Sequence, residues 1–269
     1  MSTVSTSSTS NSISTSNSIS TALADSAIML RRNLKHTARN PTTVFNAVLF
    51  PIVMMLMFVY VFGGAFNVGE KYVDYAVPGL LVMGISYGLG STAVEVNNDV
   101  TKGIINRFKV MDVSRGSVLT GHVVITTVRC LAADAAIIGV GFAMGFRPHA
   151  SLPQWLAAIG LMLLLGFAAS WLTVAMGLAA KTAESAGLAT VPLIMLPFLS
   201  SAFVPASTME AGFRQFAEYQ PFTPIIETLR ALLTGTHAST GHVVASFAWC
   251  VGFLLIGYLW ARATFSKRA

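Results

Sequence analysis

Charge is absent from most of this chain, and the places where it is absent limit what can fold. Uncharged stretches run Asn40–Gly69, Tyr75–Val94, Pro148–Ala180, Ser185–Met209 and Ala231–Ala261, the shortest of them 20 residues long. At about 1.5 Å per helical residue, even that one crosses the roughly 30 Å hydrocarbon core of a bilayer. Charged residues make up 10% of the chain and hydrophobic residues 54%, against about 25% charged in a globular domain. The chain reads as an all-α integral membrane protein. Six transmembrane helices are expected near Val44–Phe62, Tyr75–Val96, Val118–Phe146, Pro153–Ala180, Leu188–Val204 and Val243–Arg262.

The formal charge of +6 is a topology signal. With a cytoplasmic N-terminus and six crossings, twelve cations lie inside: Arg31, Arg32, Lys35, Arg39, Lys102, Arg107, Lys109, Arg115, Lys181, Arg262, Lys267 and Arg268. Four lie outside, Lys71, Arg147, Arg214 and Arg230, and Arg129 falls within a span. That bias obeys the positive-inside rule and puts both termini in the cytoplasm of a multi-pass cell-membrane protein. No basic stripe with interleaved aromatics is present, so no nucleic-acid partner is expected. Cys130 and Cys250 both fall in apolar spans and read as small buried hydrophobes.

Residues 1–21 hold fifteen Ser or Thr, and TSNSIS occurs twice in tandem at 9–14 and 15–20. Too little apolar surface exists there to offset the ordering entropy, so a disordered tail is expected over 1–21. It lacks the basic start and continuous apolar core of a signal peptide. A single membrane domain then fills 22–269. Over Thr21–Asn40, Leu23, Ala27, Leu30 and Leu34 recur at helical spacing beside four cations, which predicts an amphipathic interfacial helix ended by Pro41. Between the fifth and sixth spans, Pro205–Gly241 predicts two short re-entrant helices on the outer side. Ser207–Glu210 has the form of a capping box, Met209, Phe213 and Phe216 follow at helical spacing, and Gln220-Pro221 stops the first helix. Thr223 is expected to cap the second, with Pro224 at its first position and Gly235 past its end. That helix has about eleven residues, roughly 17 Å, too short to span.

Motifs for catalysis are missing. No Gly-x-x-x-x-Gly-Lys-Thr phosphate loop, His-Glu-x-x-His, paired Cys ligands or Gly-x-Ser-x-Gly elbow occurs. No catalytic residue and no metal ligand is nominated. Arg129 and Asp134 interrupt the third span, where a lone charge costs about 2.5–3.5 kcal/mol on insertion scales. Five residues apart, they share no helix face well, so each is expected to pair with another helix. They mark a polar point on a substrate path or helix interface, a structural ion pair, or a span that starts deeper than Val118.

Two stretches carry a family resemblance. In the loop after the second span stand Asp99, Gly103-Ile104, Arg107-Phe108, Val113-Ser114-Arg115 and Gly121. After the fifth span stand Ser201-Ala202-Phe203-Val204-Pro205, Gln220-Pro221-Phe222-Thr223-Pro224, Arg230-Ala231 and Gly235. Over about residues 25–265 the chain resembles the ABC-2 type permease family, most closely its daunorubicin/doxorubicin-resistance group. It departs from the family pattern at Asp112, where a Pro is usual, at His122, where an Arg is usual, and at Gln220, where an Asn is usual.

The resemblance implies a bacterial permease subunit that is not itself an enzyme and holds no cofactor. ATP is bound by a separate ABC ATP-binding subunit, and the permease forms a homodimer or a heterodimer with a second permease in the lipid bilayer. Coupling to the ATPase falls, by the same resemblance, to Asp99, Gly103, Arg107, Phe108, Ser114 and Arg115, and the re-entrant region to Pro205, Pro221, Thr223, Pro224 and Arg230. The expected activity is export of an amphipathic or hydrophobic drug by alternating access. Met54, Met55, Met57 and Phe58 in the first span suit a promiscuous apolar path, but equally lipid-facing or ordinary core positions, and no drug-contact residue is nominated. The competing readings are export of a lipid or glycan precursor, an ion-coupled carrier and a membrane enzyme.

Overall fold

The computed structural model describes residues 41–64, 71–102 and 115–268. The tail over 1–21, the interfacial helix expected up to Asn40 and residues 103–114 of the loop after the second span lie outside the described residues. Every regular element among the described residues is helical, as hydrocarbon demands, because a helix satisfies its backbone groups within one segment.

Helix α1, Pro41–Leu56, runs on into a π-helical turn, Met57–Phe62. Then come α2, Tyr72–Thr101, α3, Arg115–Ala143, and α4, Leu152–Ala179. The fifth apolar stretch is α5, Ala183–Ala189, α6, Val191–Met195, and a 3-10 turn, Leu196–Leu199. On the far side are α7, Ala211–Tyr219, and α8, Phe222–Thr234, and the chain returns as α9, Thr240–Arg268. Among the described residues four helices are long and apolar enough to cross a bilayer: α2, Leu119–Ala143 of α3, α4, and Thr240–Ser266 of α9.

Helix α2 is the centre. Of its most apolar window 78% is buried, against 22% for α9, and α1, α3, α4, α5, α6 and α8 all touch it. Helices α2, α4 and α9 run the same way, with Val96, Trp171, Val174, Leu178 and Ala261 meeting at one end beside Leu119 and Val123 of α3. Helix α3 runs opposite to them. Helix α1 is also antiparallel to α2, with Phe50 stacked on Tyr87 and Phe58 on Phe203 near the start of α2. Small residues set the close approaches. A Cβ on Gly177 of α4 would fall 2.5 Å from the Ala93 carbonyl oxygen, and one on Gly79 would fall 2.7 Å from Ala202.

Three local expectations need correction. The fifth stretch is not one helix over Leu188–Val204. Thr182 accepts a hydrogen bond from the Ser185 N–H and starts a helix at Ala183, between the expected fourth and fifth spans. Pro192 and Pro197, lacking N–H groups, then divide the remainder of the stretch. The segment nonetheless climbs along α2, from Gly187 beside Val94 to Ser201 beside Tyr75. The Ser207–Glu210 box does not form. Ala206–Thr208 is a 3-10 turn in which the Thr208 hydroxyl donates to the Pro205 carbonyl at 2.8 Å, a local bond that competes with helix capping. Helix α7 starts only after Glu210, without a side-chain cap. Thr223 does not cap α8 and Pro224 is not its first residue; the helix begins at Phe222 with Pro221 before it. Its end is as expected: Gly235 adopts φ +74, the left-handed cap that glycine accepts without strain.

Replacing Gly177 by Leu should cost about 1–3 kcal/mol by overpacking α4 against α2. Gly252→Leu, where an added Cβ meets nothing within 4 Å, should be near neutral. Thermal unfolding of both variants in detergent, followed by size-exclusion profile, checks the contrast.

Candidate functional site

Two polar clusters stand out from the apolar packing, one along the α2–α3 pair and one at the opposite end, around Arg230.

The first begins where the hairpin opens toward residues 103–114. Asp99, near the end of α2, meets His122 of α3, carboxylate Oδ2 to imidazole Nε2, at 3.1 Å. Deeper, Arg129 crosses from α3 to α2. Its Nη1 donates to Glu95 Oε1 at 2.9 Å, and its Nη2 donates to the Thr92 hydroxyl at 2.7 Å and the Gly88 carbonyl at 3.2 Å. Thr92 and Thr126 hydroxyls are 2.8 Å apart. Gly88, Thr92 and Glu95 repeat at helical spacing on α2, so one guanidinium spans two turns of that face. Beside them, the Asn97 amide donates to the carbonyls of Gly177, at 3.2 Å, and Ala180, at 2.8 Å, and ties α2 to the end of α4.

Arg129 therefore pairs with another helix, as its place in a span requires. Asp134 does not. It is 1% exposed, and neither of its carboxyl oxygens has a hydrogen-bond partner. Gly84 leaves the space it occupies: a Cβ there would lie 3.1 Å from Asp134 Oδ1.

The second cluster pins the chain between the fifth stretch and α7 against the start of α2. Arg230 of α8 lies buried and donates Nε to the Tyr75 carbonyl at 3.2 Å, Nη2 to the Ser201 carbonyl at 2.8 Å and Nη1 to Glu227 at 2.6 Å. Its guanidinium lies 3.7 Å above the Tyr75 ring, a cation–π contact in a desolvated setting. The Tyr75 and Tyr72 hydroxyls donate to the carbonyls of Ser201, at 2.9 Å, and Phe203, at 3.1 Å. The Phe203 ring stacks on Phe58 at 3.8 Å. Thr223 accepts from the Ser201 N–H at 3.4 Å and the Gln220 amide at 3.3 Å, and donates to the Ala217 carbonyl, joining α7 to α8. Pro221 and Pro224 are both buried at that junction, while Pro205 precedes the 3-10 turn. Beside Arg230 and Glu227 opens a pocket of about 390 Å³ that also reaches His237 and His242.

Of the residues expected to couple to an ATPase, Asp99 lies near the end of α2 and Arg115 opens α3, so the described hairpin brackets the loop. Gly103, Arg107, Phe108 and Ser114 lie outside the described residues. Sequence reasoning missed Glu95, Thr92 and His122 as partners, and Tyr75, Ser201 and Glu227 around Arg230. One signal was available for the first group: acids at 95 and 99 on one helix and bases at 122 and 129 on the next, in antiparallel order. Among the described residues no group of three His, Cys, Asp or Glu side chains is placed to hold a metal.

Comparison with known proteins bears on what such an arrangement does. The ABC-2 type transporter family profile matches residues 26–234. The daunorubicin resistance ABC transporter permease protein DrrB1 of Streptomyces coeruleorubidus is 29% identical over 217 residues, 80% of this chain and 74% of the relative. The "Probable doxorubicin resistance ABC transporter permease protein DrrC" of Mycobacterium tuberculosis is 25% identical over 238 residues, 87% of this chain and 85% of the relative.

Two substitutions separate the clusters. Arg230→Gln should destabilise the chain by about 3–5 kcal/mol, since Glu227 and two carbonyls lose a buried partner. Asp134→Leu should stabilise it by about 1–3 kcal/mol, because an apolar group of similar shape replaces an unsatisfied carboxyl. Thermal melts of the purified variants in one detergent distinguish the signs.

Proposed function

The chain belongs to the ABC-2 type transporter family, and from that premise we propose that it is the permease subunit of an ATP-binding-cassette exporter for amphipathic or hydrophobic drugs. Two copies, or one copy and a second permease, form the conduit in the cell membrane. A separate subunit binds and hydrolyses ATP, and this chain performs no catalysis and carries no cofactor.

Family membership across 26–234 is the observation that carries this reading. The resistance functions named for both relatives support the drug class. The packing supports a six-crossing arrangement, since α1, α3 and the 183–199 segment run one way while α2, α4 and α9 run the other, and the excess of cations on one side supports cytoplasmic termini. The end of α2 and the start of α3, which residues 103–114 join in the sequence, then lie on the same side as the end of α9. On that side ATP-driven closure of the motor pushes the loop, and Phe108 fills an apolar pocket on the motor while Arg107 and Arg115 meet its acids. Alternating access follows when the displaced helices close the inner mouth and release the outer one. Around Arg230, the α7–α8 re-entrant pair is the element that the outer opening must move.

Inverted membrane vesicles from a bacterium expressing the chain with its ATP-binding subunit test the proposal. ATP-dependent daunorubicin uptake is expected, with none from either subunit alone. Uptake driven by a proton gradient without ATP would mark a carrier and overturn the reading. In the same vesicles Arg107→Glu should insert normally and lower export roughly tenfold or more, as reversal of a charge at a subunit contact does.

A further inference from the structure

Helices α2 and α3 are cross-linked in rungs rather than merely packed. From the open end inward come Asp99–His122, Glu95–Arg129 and Thr92–Thr126, and then Cys130, whose thiol donates to the Ile85 carbonyl. Arg129 reaches Gly88, Thr92 and Glu95 at once, along about 10 Å of α2. Sliding α2 past α3 by a single turn, about 5.4 Å, would break all three contacts, and in the direction that carries Asp99 to Arg129 it would also strip His122 of its partner. Neither α1 nor α4, the other long helices against α3, carries a charged residue that could replace Glu95. The 183–199 segment has the opposite character, divided by two prolines into pieces of four to seven residues.

We propose that Arg129 is a positioning residue that fixes α2 and α3 as one rigid lever, so that displacement of residues 103–114 moves both helices together while the broken 183–199 segment absorbs the strain. The proposal rests on the permease reading. It assigns to Arg129 a part in energy coupling and none in substrate contact.

A disulfide tests it. A Cβ on Gly88 would lie 3.0 Å from the sulfur of Cys130, about the separation that a disulfide between the two positions requires. Gly88→Cys, in a Cys250→Ala background that keeps Cys130, ties the helices together on oxidation. Daunorubicin uptake and ATP hydrolysis are measured in inverted vesicles containing the full chain and its ATP-binding subunit, before and after oxidation. The rigid lever predicts equal export per ATP in both states. Arg129→Gln, present in the membrane at normal abundance, should lose about tenfold in export per ATP, and adding the oxidised 88–130 bond should restore most of it. Where Arg129→Gln does not reach the membrane, Glu95→Gln takes its place with the same expectation.

Export present before oxidation and lost after it means that the helices must slide or part, and overturns the lever. A Gln variant that keeps wild-type export per ATP, or that oxidation fails to rescue, overturns the role of Arg129. In both cases the permease reading stands. Absence of ATP-driven uptake by the unmodified chain sinks the permease reading, and the lever with it.

Discussion

Helix α2 is buried along most of its length, and that is possible only because its polar groups meet partners on other segments. A charged or hydroxyl group facing hydrocarbon costs several kcal/mol unless something answers it. Tyr72 and Tyr75 are answered by carbonyls of the 201–203 stretch. Thr92 and Glu95 are answered by Arg129, and Asn97 by the end of α4. Each pairing also fixes how a neighbouring helix stands against α2. The polar residues of this helix thus act as register marks, and the surrounding apolar contacts fill in around them. Without them, helices as uniformly apolar as α4 and α9 have many nearly equivalent ways to pack.

The two clusters sit at opposite ends of the same helix and differ in kind. Around Arg230 a single cation gathers three separate parts of the chain, α2, the stretch after the 3-10 turn and α8, through backbone carbonyls whose positions depend on the local fold. The α2–α3 rungs instead join side chains of two continuous helices, a stiffer connection. A displacement applied between Thr101 and Arg115 therefore reaches Tyr75 through a straight path. It meets there a cluster assembled from short, proline-divided elements. Stiffness at the α2–α3 end and subdivided structure at the Arg230 end suit the proposed reading, in which one end is pushed and the other opens.

Much of the fold was legible because membrane spans write themselves into charge. The expected spans overlap α1 with its π-helical turn, α2, α3, α4 and α9 and miss their ends by less than two turns, and Gln220-Pro221 and Gly235 marked the ends of α7 and α8 through local backbone chemistry. The failures were those of competition and distance. Ser207 carried a capping pattern, but a local bond from Thr208 to Pro205 holds that stretch in a 3-10 turn and moves the helix start. Thr223 looked like a cap and is a junction, because its true partners, Ala217, Gln220 and Ser201, are brought together only by folding. Glu95 falls at the end of the expected span Tyr75–Val96, one residue past the uncharged run Tyr75–Val94, and its pairing with Arg129 depends on how α3 packs against α2. Only the long reach of Arg129 down its own helix makes it an intramembrane partner. Asp134 was expected to find a partner and has none, which no pattern in the sequence announces.

On the proposed reading this chain supplies a membrane conduit and takes its energy from an ATP-binding subunit at the face where α2 ends and α3 begins. Placing a photo-crosslinking side chain at Phe108 of the full chain in its native membrane tests that most directly. The account predicts an adduct with the ATP-binding subunit whose yield changes when ATP is trapped in the motor. Labelling of position 108 in intact cells by a membrane-impermeant reagent, with no such adduct, would place the loop on the outer face and contradict it.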